Sequence, residues 1–231
     1  MLFLFFTLTA SAIFPLDVEH TVGYRLGAEV NTTLGARSIY EIQYQILFNK
    51  RWQISPGFLL GAGKPFLTAY HLELGYNQLF TEPLSFHLKF LNRSYHDLSV
   101  AENSIIPFLS WRRRHFEADF GFNARFTNFG PKNLDLIFYY PNDLFQPHFM
   151  FRVAGYLAWE NPDIRLGLEL KNTEWNYAGN SYEISYHIDA SYQVSKQWSL
   201  NINLGTTPSG ISGLSVLYNR FIIVAGARYQ I

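Results

Sequence analysis

Two short stretches bring histidine together with acidic or hydroxyl side chains, the residue types that hydrolases use. His96 and Asp97 are followed by Ser99, and His187 and Asp189 are two positions apart. A Ser–His–acid set works only when its members are within hydrogen-bond reach, which spacing alone does not establish. His187 and Asp189 are therefore either a catalytic or metal-binding pair, or polar residues that line an interior.

The remaining chemical motifs are sparse. The chain has no cysteine, which excludes disulfides, thiolate catalysis and cysteine-ligated zinc. No Gly-rich or His-rich metal motif stands out, and we expect no cofactor and no metal. The formal net charge is zero, which argues against a nucleic-acid partner. Arg112–Arg114 could indicate phosphate binding, but we interpret these arginines as a turn that faces anionic surroundings.

The elements that must position these residues are strands. Polar and apolar residues alternate along most of the chain, most clearly from Phe116 to Phe126. Alternation with a period of two is typical of a strand, because successive side chains point to opposite faces. No stretch has a convincing helical period, and no apolar run reaches the roughly 20 residues of a membrane-spanning helix.

The last stretch, Phe221 to Ile231, keeps an apolar face to the end of the chain. Gly226, Arg228 and Gln230 fall on the opposite face. An apolar face for lipid and a polar face for the interior are typical of a transmembrane barrel strand. We therefore expect this strand to close a barrel by pairing with His20 to Asn31, so that no unpaired edge faces lipid.

Turn spacing predicts the number of strands. Tight polar turns centre near residues 50, 82, 113, 161 and 196, and each interval holds two strands and one looser connection. The looser connections are expected at 32–38, 62–67, 93–104, 127–147, 172–180 and 206–213. The prediction is an all-β, antiparallel, up-and-down transmembrane β-barrel of about twelve strands, with ten to fourteen possible, since such barrels have even strand numbers. A soluble secreted barrel or sandwich is the rival fold, and it predicts a packed interior.

Aromatic residues mark one rim of the predicted barrel. Trp52, Trp111, Trp159 and Trp198 lie within one or two residues of a tight turn, and Tyr229 falls at the same end. Amphipathic aromatic rings prefer the interface between lipid and water. We therefore predict that these five residues lie at one membrane interface.

The N-terminus carries a targeting cue. Leu2 to Leu8 is apolar, and Ala10–Ala12 fits the small-residue cleavage pattern of a secretory signal, although no basic residue precedes it. We assign residues 1–12 to a signal peptide, 13–19 to a lead-in and 20–231 to the barrel. The signal is shorter than the usual 15–30 residues, as a truncated leader would be.

Together, the leader, the amphipathic strands and the ending Tyr229–Ile231 resemble the transmembrane β-barrel proteins of diderm bacterial outer membranes. The resemblance implies an outer-membrane location, contact with the lipid bilayer and insertion by the barrel-assembly machinery. In such proteins an aromatic residue commonly ends the last strand, whereas this chain ends in isoleucine.

The face opposite lipid would line the lumen. Its predicted residues are Arg25, Glu29, Glu73, Lys89, Glu117, Asp119, Arg125, Arg165, Glu169, Glu183, His187, Asp189 and Arg228. Charges in a low dielectric need partners or water, so these residues form a structural network, a hydrated channel or both.

The preferred functional hypothesis is a small pore for passive transport of ions or small polar solutes. One alternative is a closed structural barrel that binds a ligand or surface through its outer loops. Another is an outer-membrane lipid hydrolase, although the His-x-Ser arrangement often seen in such enzymes does not occur.

Overall fold

The structure is a computed structural model of the chain. It describes residues 17–31, 35–63, 66–79, 83–97, 99–129, 145–160, 163–172, 184–208 and 218–231. The predicted signal peptide and Glu183 lie outside these ranges. So does the segment from Leu134 to Tyr140, whose sequence is compatible with a further strand. Within them, no helix is long and apolar enough to cross a membrane.

Twelve strands make up the described fold. They are β1 (Val18–Asn31), β2 (Gly35–Phe48), β3 (Trp52–Gly63), β4 (Leu67–Asn77), β5 (Leu84–Tyr95), β6 (Val100–Arg113), β7 (Phe116–Phe129), β8 (Phe145–Glu160), β9 (Asp163–Lys171), β10 (Ser185–Gln193), β11 (Trp198–Pro208) and β12 (Tyr218–Gln230).

Each strand pairs antiparallel with its sequence neighbours, and β12 pairs with β1 to close the barrel. The closing register runs from Thr21 opposite Gln230 to Asn31 opposite Arg220. This confirms the predicted closure, which satisfies the backbone groups of both terminal strands. Both ends of the described chain lie together, because Ile231 N donates to His20 O at 2.9 Å.

The two faces of each strand have opposite character. In β7, Phe120 and Phe122 are exposed, whereas Asp119 and Asn123 are buried. Leu168 of β9 is 69% exposed on the outward face. An apolar exterior around a polar interior inverts the pattern of a soluble protein and is that of a membrane barrel. The predicted fold class is confirmed.

Short turns gather at one end of the barrel. In the β2–β3 turn, Arg51 N donates to Phe48 O at 3.0 Å, and both Asn49 and Lys50 have positive φ. Two such residues define the tight turn that best matches strand twist in hairpins. Short turns are periplasmic in outer-membrane barrels, so we assign this end to the periplasmic side.

The strands extend further than the turn spacing predicted. The connection expected at 93–104 is reduced, because β5 continues to Tyr95 and β6 begins at Val100. The segment from Ile105 to Trp111 has no clear alternation of polar and apolar residues in its sequence. Ile106 and Phe108 point inward between outward-facing neighbours, so both faces of this segment are apolar.

Gly27 provides a test of the closing seam. A Cβ at Gly27 would lie 2.2 Å from the backbone oxygen of Ile223, whereas one at Gly23 would meet nothing closer than 3.9 Å. We expect Gly27→Ala to lower the temperature at which the folded form unfolds on unboiled detergent gels. The free energy of unfolding should fall by about 1 to 3 kcal/mol, as it does for other overpacked sites.

Gly23→Ala is the matched control, since it lies on the same strand and face at the same seam. It should migrate and unfold as the parent protein does. Equal unfolding temperatures for the two variants would contradict the tight β1–β12 contact.

Candidate functional site in the barrel lumen

The candidate site is the inner face of the barrel. The predicted lumen residues within the described ranges all lie on this face: Arg25, Glu29, Glu73, Lys89, Glu117, Asp119, Arg125, Arg165, Glu169, His187, Asp189 and Arg228. Their role in a pore stays a prediction, and what the structure adds is how they are grouped.

Arg152 of β8 is the centre of the largest ion-pair group. Its guanidinium lies 2.9 Å from Glu117, 3.4 Å from Asp119 and 2.5 Å from Glu169. It also donates to the hydroxyl of Tyr156 at 2.9 Å. One arginine thus joins carboxylates from β7 and β9, and we call this group the Arg152 network.

The Arg152 network is extended at both ends. Arg165 donates to Glu117 at 2.8 Å, and its guanidinium lies 3.4 Å from the ring centroid of Tyr156. Lys171 lies 2.6 Å from Glu169, and Ser110 donates to Asp119. The cations therefore bridge several carboxylates, as burial of charge requires.

A second group of ion pairs lies toward the end opposite the tight turns. Arg37 donates to Glu29 at 2.9 Å. Glu102 lies between Arg93 at 3.2 Å and Arg125 at 3.7 Å. All five side chains are buried. In this part of the lumen the charged side chains are therefore buried and paired with one another.

The lumen wall around β1–β5 carries looser pairs. Arg25 lies 3.4 Å from Glu41, and its side chain is the more exposed partner. Nδ1 of His87 lies 3.0 Å from Glu73, which also accepts from Gln53 at 3.4 Å. These contacts leave Arg25 accessible from the lumen.

The structure gives His187 and Asp189 a common partner. Nδ1 of His187 donates to Oδ1 of Asn203 at 2.9 Å, and Nδ2 of Asn203 donates to Asp189. The hydroxyl of nearby Ser185 contacts Thr207 at 3.0 Å. These contacts agree with polar residues that line the interior, and none of them requires a catalytic role.

The other candidate stretch stabilises loops. Asp97 accepts from the backbone N of Phe66 at 2.9 Å, and His96 lies 2.9 Å from the hydroxyl of Thr68. Ser99 has a positive φ and donates its backbone N to His96 O. The side chains of His96 and Asp97 thus bind the β5–β6 connection to the start of β4.

Rings lie flat over glycines across the inner face. A Cβ added to Gly57, Gly75, Gly167 or Gly205 would lie within 3 Å of a ring atom on the neighbouring strand. The paired rings are His71, His87, Tyr156 and His187. Glycine lets the ring lie along the wall rather than across the lumen, as in aromatic rescue of strand glycines.

The lumen also contains an apolar cluster that the sequence prediction missed. Its members are Ile39, Leu59, Leu67, Ala69, Leu91, Tyr95, Ile222 and Val224. Leu59 and Leu67 are 1% and 0% exposed. The expectation of a charged inner face was incomplete, because positions such as Leu59 and Leu91 point inward where a polar residue was expected. We call this the apolar cluster.

A cavity of about 330 Å³ lies beside the apolar cluster. Ile39, Ile222 and Val224 line one part, and the Arg152 network lines another. Asn201 and Ser191 extend the lining toward the tight turns. The cavity thus meets charged side chains of both signs on one side and apolar ones on the other.

The predicted interface aromatics lie together at the tight-turn end. Trp52, Trp111, Trp159 and Trp198 are all exposed outward, and the ring of Tyr229 lies 4.7 Å from that of Trp198. Their shared level agrees with a belt at a membrane interface, which remains a prediction.

Similar solved structures are outer-membrane barrels. The KdgM porin, solved in complex with disordered oligogalacturonate, has a TM-score of 0.58 at 13% identity, covering 90% of this chain and 98% of that one. The NanC porin has a TM-score of 0.57 at 10% identity, covering 91% and 100%. An outer-membrane channel from Pseudomonas putida F1 has a TM-score of 0.55 at 9% identity, covering 93% and 95%.

An enzyme shares the architecture. The outer-membrane phospholipase of Salmonella typhi has a TM-score of 0.51 at 10% identity, covering 90% of each chain. No family model and no curated protein matches the sequence. At these identities the likeness concerns the fold alone, which is that of the closed, antiparallel β-barrels of outer membranes.

A substitution of Arg152 tests whether the Arg152 network stabilises the folded barrel. Arg152→Met removes the cation shared by three carboxylates, and leaving buried charge uncompensated typically costs about 3 to 5 kcal/mol. We expect a clear drop in the unfolding midpoint in urea, measured by tryptophan fluorescence in detergent.

Lys50→Met is the control, because Lys50 and Asp17 form an exposed pair at 4.0 Å. Exposed pairs contribute little, so its midpoint should stay near that of the parent. A similar small effect from both substitutions would show that the Arg152 network is not a stabilising element.

Proposed function

We propose that the protein is a narrow pore for the passive transport of ions and small polar solutes. The observation that carries the proposal is the cavity of about 330 Å³, walled by Arg25, Arg152, Lys171, Glu41 and Glu169. Pores commonly use charged side chains of this kind to tune permeation. The likeness to porins and channels is consistent with the proposal at the level of the fold.

The polar side chains that line the cavity support its hydration. Asp189 and Asn201 line this space together with Arg25, whose side chain is 35% exposed. Buried polar atoms normally bond to protein or water. Because the cavity volume is about ten times the roughly 30 Å³ share of one water molecule in the liquid, water or a small polar solute fits these positions.

The apolar cluster accounts for the narrowness of the proposed pore. It lies between the middle of the strands and the end opposite the tight turns, where Glu29, Arg37 and Arg220 are also buried. Hydrophobic constrictions hinder the passage of water and ions. We therefore expect low conductance and no passage for large solutes.

The lipid-hydrolase alternative has less support. His187 directs Nδ1 to Asn203, and Ser185 contacts Thr207. Ser185 thus contacts a threonine hydroxyl, and an amide oxygen orients the imidazole of His187. The alternative of a ligand-binding closed barrel depends on residues 130–144, 173–183 and 209–217, which lie outside the described ranges.

Planar-bilayer recording tests the pore. Purified folded protein should give small, stepwise currents, and a salt gradient should reveal modest charge preference because both signs line the cavity. A folded protein that carries no current would exclude the pore. Phospholipid hydrolysis by the purified protein, lost in His187→Ala, would instead support the enzyme.

Widening the constriction gives a sharper prediction. Leu59→Ala combined with Leu91→Ala removes inward-facing volume, so the unit conductance should rise above that of the parent. Leu168→Ala is the matched control, because Leu168 faces outward and its loss leaves the lumen unchanged. Equal conductance for both would show that the apolar cluster does not limit flow.

A further inference from the structure

Three arginines on the inner face lie toward the tight-turn end of the lumen. Arg228 of β12 pairs with Gly23 of β1, and Arg25 is the next inward position along β1. Arg112 lies near the end of β6, opposite Glu117 of β7. Because β6 and β12 are six strands apart in either direction around the closed barrel, Arg112 and Arg228 project from opposite walls.

The three side chains approach one another across the lumen. Arg25 and Arg228 line one small cavity, which also contacts Glu41 and Asn201. Arg228 lies close enough to interact electrostatically with both Arg25 and Arg112. We call Arg25, Arg112 and Arg228 the arginine triad. Like charges at close range repel one another, so the triad needs carboxylates, water or a bound anion to offset its charge.

Arg228 has no carboxylate of its own. It makes no hydrogen bond and no ion pair with any described residue, and the carboxylate that interacts with it electrostatically is that of Glu41. Glu41 already lies 3.4 Å from Arg25 and also interacts with Lys89. One carboxylate thus serves several cations, and it offsets the charge of Arg228 only in part.

Arg112 is in a similar position. Its Nε donates to the neutral hydroxyl of Ser110 at 3.0 Å. The carboxylates that interact with it electrostatically are those of Glu73 and Glu117. Glu73 lies 3.0 Å from Nδ1 of His87, and Glu117 belongs to the Arg152 network. Both carboxylates are therefore bound to other bases.

The arginines of the triad are more accessible than the carboxylates near them. The side chain of Arg25 is 35% exposed, whereas that of Glu41 is 5% exposed. Arg112 and Arg228 are exposed, whereas Glu117 is buried. A solute in this part of the lumen therefore meets guanidinium groups before carboxylates. The triad also adjoins the main lumen cavity, because Arg25 and Glu41 line both spaces.

We propose that the arginine triad binds small oxyanions at the tight-turn end of the lumen and gives the pore a preference for anions. The preference rests on the proposed pore function, whereas the binding of an anion does not. Guanidinium groups match the oxygens of carboxylate, sulfate and phosphate in bidentate geometry. Rings of cationic side chains are typical of anion pores. Charges of both signs elsewhere in the lumen keep the preference modest, and the triad gives it a sign.

Reversal potentials in a KCl gradient across a planar bilayer test the preference. The parent should favour chloride over potassium. Arg112→Gln combined with Arg228→Gln removes two exposed guanidiniums and should abolish this preference, and Arg228→Glu should reverse it. Because Arg228 has no ion-pair partner among the described residues, its loss strands no carboxylate. The variants should therefore stay folded, which heat-modifiable migration on gels verifies.

Lys196→Gln is the matched control. Lys196 is exposed in the β10–β11 turn at the same end of the barrel, outside the lumen. The substitution removes one positive charge on the same side of the membrane and should leave the reversal potential of the parent unchanged. A parent that favours potassium would overturn the proposal. So would a double arginine variant that keeps the preference of the parent.

Sulfate binding distinguishes the anion site from the pore. A ligand that binds only the folded form stabilises it. Millimolar sulfate should raise the unfolding midpoint of the parent in urea, measured by tryptophan fluorescence in a neutral detergent. It should not raise the midpoint of the double arginine variant.

The two measurements fail in different ways. A parent that is stabilised by sulfate but carries no current would exclude the pore and retain the anion site. Equal stabilisation of the parent and the double arginine variant would mean that sulfate binds elsewhere, and it would overturn the site whether or not current flows.

Discussion

The pairing of every strand edge is the constraint on which the rest of this structure depends. Unpaired backbone groups in hydrocarbon are very costly, so a sheet can cross a membrane only as a closed barrel. The β1–β12 seam meets this requirement, and Gly27 permits the close approach of Ile223 and Val224 there. Closure separates two environments, and the alternation of side chains then sends one face to lipid and the other to the lumen.

Inside the barrel, some charged side chains each pair with more than one side chain of opposite charge. Arg152 is paired with carboxylates from two neighbouring strands, and Glu102 with arginines from two others. Flat rings over glycines leave room between these groups. Toward one end the same space is filled by the apolar cluster. The lumen is therefore part packed core and part polar cavity, and for this reason the pore that we propose is narrow.

The sequence supported the fold more strongly than the site. Alternation from Phe116 to Phe126 and the repeated tight turns predicted an even-stranded antiparallel barrel closed by its last strand, as the structure has it. Strand ends were less well predicted, because Tyr95 and Val100 extend pairing into a segment with loop-like composition. The apolar cluster was missed, since inward Leu59 and Leu91 do not differ in type from lipid-facing leucines.

By itself, the sequence determined which residues share a face, because alternation is a property of the extended backbone and needs no partner strand. It also indicated an even strand number near twelve, because polar turn residues interrupt the pattern where the chain reverses. Only the tertiary structure decided which charges meet. Arg165 and Glu117 are 48 residues apart and bond through register and side-chain reach. The step where β8 continues past its pairing with β7 likewise exists only because two neighbouring hairpins differ in length, a difference that emerges when their strands are placed side by side.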